Sequence, residues 1–331
     1  MSPLHPFSRG LILDVLLNVC LYVPVGAATL VAIAPWPLAP AWTVLLGFAI
    51  SLGVELTQRY VPTRTGTFND LLANTGGAAL GAAAVWLWRG RLGLPLRRFL
   101  ERALSPEGVV LSGLWLLWHG FLLLPVIKHG GFPPFEPAAS VFWSDTVDVF
   151  LGFCGLSLAL RDHPRTAIAL ALVPAALFLY PAAAGARVAA AGLAILASRA
   201  AASAAFRRFL QPAVLAWLAF SELRPFQWGA PKSFLWLPFE PLFSNPADRY
   251  YPLVFGKFFL YAAIVWILRW SGARWIAAAG LPVLILAAGE FAERYLPART
   301  PELTDIVLAA AGAVLLALVD RPRPAAPACD P

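Results

Sequence analysis

Two short segments of this chain carry acidic, basic and amide side chains between long apolar stretches. The first motif segment runs from Glu55 to Gly77, and the second runs from Glu290 to Gly312. Carboxylates can transfer protons or hold hard cations, and arginine presents a planar fork of donors to phosphate. Such groups are costly at membrane depth, where they usually pair, line a cavity or carry function. Chemistry is therefore expected in these two segments.

The two motif segments match each other at a constant offset of 235 positions. The identical pairs are Glu55 and Glu290, Arg59 and Arg294, Tyr60 and Tyr295, Pro62 and Pro297, Arg64 and Arg299, Thr65 and Thr300, Asp70 and Asp305, and Gly77 and Gly312. So many identities at one spacing predict an internal duplication.

The composition indicates which class of protein carries these segments. The chain has 331 residues, of which 60% are hydrophobic and 13% are charged, whereas soluble domains have about 25% charged residues. The net charge of +7 comes mainly from arginines between apolar runs. This placement fits membrane topology and anionic head groups better than nucleic acid. The three cysteines show neither metal-ligand spacing nor a disulfide framework.

We predict an all-α polytopic membrane bundle of about eleven transmembrane helices with an internal parallel repeat. The predicted spans are 11–34, 41–60, 70–88, 108–127, 144–160, 166–180, 187–205, 210–222, 252–270, 274–296 and 304–320. The two motif segments are separated by an even number of spans and should face the same side. Basic residues in the connections favour an N-terminus outside. Gly77 and Gly81 form a G-x-x-x-G pattern, which predicts a close helix contact.

The first candidate site lies where three predicted spans reach one membrane face. Asp14 and Asn18, like Asp70 and Asn74, are spaced four residues apart and so share one side of a helix. We expect Glu55, Arg64 and Asp70 to come within side-chain reach of one another. The predicted ligand-binding residues are Asp14, Asn18, Glu55, Gln58, Arg59, Arg64, Asp70 and Asn74.

The second candidate site repeats the first with substitutions. Lys257 takes the place of Asn18, and Ala309 replaces Asn74. We expect Lys257 to join this site, because a lone ammonium at that depth would be very costly. Fuller charge pairing predicts a mainly structural role for Lys257, Glu290, Glu293, Arg294, Arg299 and Asp305, with Glu290, Arg299 and Asp305 within reach of one another.

The motifs resemble the VanZ-like family of bacterial membrane proteins. The matching signature is D-x-x-x-N, E-x-x-Q and R-x-G-x-x-x-D-x-x-x-N-x-x-G, formed by Asp14, Asn18, Glu55, Gln58, Arg64, Gly66, Asp70, Asn74 and Gly77. Residues 11–88 resemble a unit without its first span. Residues 210–320 resemble a whole four-span unit and add two P-F pairs, Pro225–Phe226 and Pro238–Phe239. The family is named for a protein linked to low-level teicoplanin resistance, so the resemblance implies an envelope role and no reaction.

These patterns divide the chain into four predicted regions. They are a first VanZ-like unit of three spans at 1–90, a basic surface segment with four middle spans at 91–206, a second VanZ-like unit at 207–320, and a disordered tail at 321–331. The Arg-rich stretch 89–106 could form an amphipathic helix on the membrane surface.

Two main functions remain open for a multi-pass protein of the bacterial inner membrane. One is binding of an anionic membrane lipid or a lipid-linked envelope precursor, such as a polyprenyl-phosphate-type lipid, in a glycopeptide-resistance-like role. We favour this function and expect no cofactor, metal site or nucleic acid. The other is a membrane-embedded enzyme acting on a lipid phosphate. It would use Glu55 or Asp70 as acid, base or ligand for Mg²⁺ or Mn²⁺. A scaffolding role is a third reading, because a carboxylate–arginine cluster can simply hold helices together.

Overall fold

Apolar stretches form α-helices throughout the described part of the chain. The structure is a computed structural model that describes residues 15, 18–19, 22–23, 25–27, 29–30, 38–58, 68–89, 105–121, 143–173, 181–200, 204–240 and 247–320. Within these ranges the chain is helical apart from its connections and one isolated bridge between Leu235 and Glu302. Helices satisfy backbone hydrogen bonds internally, as an apolar environment requires. The all-α prediction is confirmed.

The described helices follow most of the predicted spans, with one clear difference at α7. They are α1 (Ala39–Gln58), α2 (Phe68–Arg89), α3 (Pro106–Phe121), α4 (Trp143–Ala159), α5 (Pro164–Ala171), α6 (Pro181–Ala200), α7 (Ala204–Leu223), α8 (Ala247–Trp270), α9 (Trp275–Glu293) and α10 (Thr304–Val319). The helix α7 begins before the span expected at 210–222 and continues through Pro212. The second half of the span expected at 166–180 lies outside the described residues.

Two of the described helices are long and apolar enough to cross a membrane. They are Tyr250–Trp270 within α8 and the whole of α9, Trp275–Glu293. Shorter apolar helices occur at Ala39–Gly53, Thr146–Ala159 and Thr304–Val319. The prediction of about eleven spans therefore stays a prediction. The proposed surface helix at 89–106 and the tail at 321–331 lie mostly outside the described residues.

The first packing unit comprises residues 1–100 and 127–130. In it, α1 packs along α2, and helical residues between positions 15 and 30 lie against α2. A β-carbon added at Gly77 would collide with the carbonyl oxygen of Val19 and lie 2.9 Å from the Tyr22 β-carbon. One added at Gly81 would collide with the carbonyl oxygen of Val23. The two glycines thus provide the close helix contact that their spacing predicts.

Gly77→Ala should destabilise the first unit by about 2 kcal/mol, because the added methyl meets rigid backbone. Gly76 is the matched control, since a β-carbon there meets nothing within 4 Å. Gly76→Ala should leave stability unchanged or raise it by up to about 1 kcal/mol, the helix propensity gain. Thermal unfolding in detergent micelles measures both variants. Equal melting temperatures for the two variants would contradict the contact.

The second packing unit comprises residues 101–126 and 131–331. The helix α8 lies at its centre and contacts α3, α4, α9 and α10. Ile264, Trp266 and Ile267 of α8 are almost completely buried in this core. This arrangement places Tyr261 of α8 in the interior of the unit and leaves the side chain of Lys257 partly exposed. The helices α3–α6 belong to the same packing unit as the C-terminal helices. The division of this part of the chain into a middle region at 91–206 and a second VanZ-like unit at 207–320 stays a prediction.

Candidate functional site

The first unit joins three of the predicted polar residues to partners across helices. Asn18 Nδ2 donates a hydrogen bond to Asp70 Oδ1 at 2.6 Å. Asn74 Nδ2 donates to Ser51 Oγ at 3.0 Å. Glu55 is buried on α1, one turn after Ser51. The N-terminal helical residues, α1 and α2 therefore contribute to one polar region, as the spacing of these residues predicts.

Part of the first candidate site lies outside the described residues. Asp14, Arg59 and Arg64 are not described, nor is the side chain of Gln58. The expected approach of Arg64 to Glu55 and Asp70 therefore stays a prediction.

The second unit holds an ion pair in the corresponding place. Lys257 of α8 contacts Asp305 Oδ2 at 2.6 Å, and the Tyr261 hydroxyl donates to the same oxygen at 2.8 Å. The Asp305 side chain is 3% exposed and that of Lys257 is 30% exposed. Lys257 thus meets the second site as expected. Asp305 lies in the first turn of α10, as Asp70 lies in the first turn of α2. Each aspartate thus accepts a hydrogen bond from a side chain of another helical segment, Lys257 or Asn18.

The arginines of the second motif segment take partners that differ from the predicted ones. Arg299 pairs with Glu293 at 3.6 Å rather than with Glu290. Its Nη2 and Nε atoms also donate to the carbonyl oxygens of Ser221 and Arg224, at 2.5 and 3.0 Å. Glu290 instead accepts a 2.8 Å hydrogen bond from the Glu302 backbone. Arg299 therefore serves mainly to fix the end of α7 to the second motif segment.

Arg294 also lies apart from the buried carboxylates. Its Nε donates to the carbonyl oxygen of Lys232 at 3.2 Å, and the residue is only half-buried. Lys232 belongs to the connection after α7. Arg294 thus contributes its charge to a surface region rather than to the pairing of buried charges.

The sequence reasoning missed Glu222 and Glu302. Glu222 ends α7 and Glu302 immediately precedes the α10 region, and both are buried. Oxygen atoms of Glu222, Glu290 and Asp305 all lie within 4.8 Å of one another. The order of the spans could have placed Glu222 here, because the ends of α7 and α9 and the start of α10 reach one face.

A glycine on α9 makes room for Glu222. A β-carbon added at Gly289 would lie 2.8 Å from the Glu222 β-carbon and 3.0 Å from its γ-carbon. The helices α7 and α9 are among the closely packed pairs of the second unit. The small residue at position 289 thus lets the Glu222 carboxyl reach Glu290 one residue along α9.

Buried carboxyls outnumber cations in this region, which we call the acid cluster. The carboxyls belong to Glu222, Glu290, Glu293, Glu302 and Asp305, and the described cations among them are Lys257 and Arg299. The expected pairing of charges is therefore incomplete. Glu302 lies in the connection between two predicted spans. Burial raises its pKa above the ordinary value, although a hydrogen bond with Thr304 and the positive charge of Lys257 lower it in part.

Glu302→Gln should change how stability depends on pH. Because the folded pKa of Glu302 is raised, its ionisation penalises folding above that pKa, and the penalty disappears as pH falls to the ordinary glutamate value of about 4.3. The neutral variant should therefore be more stable than the wild type near neutral pH and lose this advantage in acid. Melting temperatures of both proteins, recorded from neutral pH down to the ordinary glutamate pKa, measure this change. A difference in melting temperature that stays constant with pH would contradict the account.

A hydrogen-bonded connection, the aromatic loop of residues 224–240, lies against the second motif segment. Backbone amides of Gly229, Lys232 and Leu235 donate to carbonyl oxygens of Tyr295, Arg294 and Pro301 at 2.7, 2.7 and 2.9 Å. The Lys232 ammonium donates to the carbonyl oxygens of Pro297, at 2.9 Å, and Arg299. Phe239 N donates to Thr304 Oγ1 at 2.8 Å. These bonds hold the loop at the end of the second unit that contains the acid cluster.

The outer surface of the aromatic loop combines apolar rings with positive charge. Trp228 is 62% exposed and Trp236 is 67% exposed, while Phe226 is 46% exposed. Arg224 and Lys232 of the loop are half-buried, like the neighbouring Arg294. Amphipathic aromatic rings and cations are the side chains that membrane proteins place at the level of lipid head groups.

Comparisons with known proteins bear on the first part of the chain. No curated protein and no solved structure matches the chain. The family model described as VanZ/LLP1 matches residues 2–89, which include α1, α2 and the first motif segment. The repetition of the motif in the second unit stays a prediction from the sequence, to which the parallel contacts of Asp70 and Asp305 add support. By its match over residues 2–89, the chain carries a VanZ-like domain.

Proposed function

We propose that this protein is a multi-pass protein of the bacterial inner membrane that binds an anionic lipid or a lipid-linked envelope precursor. The observation that carries the proposal is the outer surface of the aromatic loop. The exposed rings of Trp228 and Trp236 belong to the same loop as the half-buried Lys232, whose carbonyl oxygen accepts a hydrogen bond from Arg294, next to the end of the candidate span α9. Aromatic rings suit the boundary between acyl chains and head groups, and each nearby cation attracts an anionic surface by about 1 kcal/mol.

The hydrogen bonds of the aromatic loop support recognition rather than general adhesion. Lys232 and Arg294 are fixed by bonds to backbone carbonyls, so they need little reordering to meet a phosphate. A polyprenyl phosphate or an anionic phospholipid presents a phosphate at the depth of the head groups. In the first motif segment, Arg59 and Arg64 would meet the same chemistry.

The VanZ-like domain supports a role in the cell envelope. The family that this domain resembles is named for a protein linked to low-level teicoplanin resistance. A glycopeptide-resistance-like role is therefore part of the proposal.

Lipid-dependent stabilisation tests the proposal. A ligand that binds only the folded state raises stability in proportion to the logarithm of its concentration above Kd, by about 2.7 kcal/mol at a hundredfold excess. Anionic phosphatidylglycerol or undecaprenyl phosphate, added to the detergent-purified protein, should raise its melting temperature far more than zwitterionic phosphatidylcholine. Equal shifts with all three lipids would overturn the proposal.

A further inference from the structure

We infer that the acid cluster of the second unit binds one divalent cation of the size of Ca²⁺ through Glu222, Glu290 and Asp305. All three residues are buried: Glu222 is 5% exposed, Glu290 is 1% exposed and Asp305 is 2% exposed. Their carboxyl groups can each offer one oxygen, and these oxygens lie within 4.8 Å of one another. A Ca²⁺ ion has metal–oxygen distances of about 2.3–2.6 Å, so such an ion fits between oxygens separated in this way.

An oxygen atom of Asp305 supplies a second, separate reason. Asp305 Oδ2 accepts from Lys257 and Tyr261, whereas Asp305 Oδ1 is buried without a hydrogen-bond partner among the described residues. A carboxylate oxygen left bare in the interior costs free energy unless something binds it. Lys257 and Tyr261 hold the carboxylate through Oδ2, and Oδ1 is the oxygen that this inference assigns to the cation.

The charge balance of the acid cluster favours a cation as the ligand. Five buried carboxyls face two described cations, Lys257 and Arg299. Buried negative charge in this excess needs compensation by protons or by a bound ion. A divalent ion would leave the region close to neutral, and carboxylate oxygens are the ligands that hard divalent cations prefer.

The positions of the ligands in the fold make the arrangement rigid. Glu222 ends α7 against Gly289, Glu290 lies in the last turn of α9 and is held by the Glu302 amide, and Asp305 begins α10. Three different helices thus supply the oxygens. A cation held there would tie the ends of these helices together, in addition to the lipid contact proposed for the aromatic loop.

Equilibrium dialysis of the full chain in detergent with radiolabelled Ca²⁺ tests this inference. The wild type should bind one ion per chain, and Glu222→Gln and Glu290→Gln should each weaken binding at least about tenfold. Asp320→Asn is the matched control, because Asp320 pairs with Arg269 and Trp275 at the other end of α10; it should bind like the wild type.

A further variant and a folding control separate loss of a calcium ligand from loss of folding. Lys257→Gln removes a positive charge that repels a cation beside Asp305, while Tyr261 still donates to Oδ2, so the folded variant should bind Ca²⁺ at least as tightly as the wild type. Weaker binding by the folded variant would count against the inference. Size-exclusion chromatography reports whether each variant is folded. Absence of Ca²⁺ binding by folded wild type, or binding unaffected by both glutamate substitutions, would overturn the inference. The lipid proposal is tested separately, because none of these substitutions changes a residue of the aromatic loop.

Discussion

Lys257→Met should destabilise the protein by about 3 kcal/mol, since removing one partner of a buried ion pair leaves the other charge uncompensated. Lys257 contacts Asp305 at 2.6 Å, and the Asp305 side chain is only 3% exposed. The loss should lie at the lower end of the usual range because the Lys257 side chain is 30% exposed. Unfolding by mixed-micelle denaturant titration, in buffer with a chelator, measures the difference.

The pair formed by Arg269 and Asp320 is the matched control for Lys257. It joins the same two helices, α8 and α10, at their other end, with an Arg269 Nε to Asp320 Oδ2 distance of 3.0 Å. Its arginine is 35% exposed and its aspartate is 11% exposed, against 3% for Asp305, and Trp275 also donates to Asp320. Solvent therefore screens this pair more, and Arg269→Met should cost about 1 kcal/mol or less. Adding Asp305→Asn to Lys257→Met should recover part of the stability. Equal losses for Lys257→Met and Arg269→Met would show that Asp305 does not depend on Lys257.

The double substitution Trp228→Ala and Trp236→Ala should weaken binding of anionic lipid at least about tenfold. Each large apolar side chain contributes about 1.5–3 kcal/mol when fully buried, and part of this is realised at a head-group interface. Both rings project from the aromatic loop, so their removal should leave the fold intact. Lipid titrations followed by melting temperature, as for the wild type, measure the change.

Phe209→Ala controls for loss of exposed apolar surface alone. Phe209 is 69% exposed and lies in the first turns of α7, at the opposite end of that helix from the aromatic loop. Its removal should leave anionic lipid affinity unchanged. If Phe209→Ala and the double tryptophan variant lose affinity equally, the aromatic loop has no special part in binding.

Much of the fold and part of the site follow from simple physical rules. The composition predicts helices because an apolar chain must satisfy its backbone hydrogen bonds internally. The spacing of Gly77 and Gly81 predicts a close helix contact, and the cost of a lone ammonium predicts that Lys257 meets a carboxylate. These predictions depend on local periodicity or on large energies, and the structure contains the corresponding contacts.

Other features depend on details that periodicity does not determine. Glu290 and Glu293 share one side of α9, so a shift of a single turn decides which of them pairs with Arg299; the bonds from Arg299 to Ser221 and Arg224 favour Glu293. Glu222 and Glu302 are missed because neither belongs to the signature of the motif. The packing of α3 and α4 against α8, and of α6 against α4, involves pairings between helices for which apolar runs of similar composition offer no distinguishing signal.

Native mass spectrometry of the purified protein with its retained lipids tests the central claim most directly. A protein that recognises an anionic lipid or lipid-linked precursor should carry one dominant adduct whose mass corresponds to an anionic phospholipid or a polyprenyl phosphate. The adduct should diminish in the double tryptophan variant and persist in Phe209→Ala. A heterogeneous set of adducts that mirrors the lipid composition of the membrane, and is unchanged by either substitution, would contradict the account.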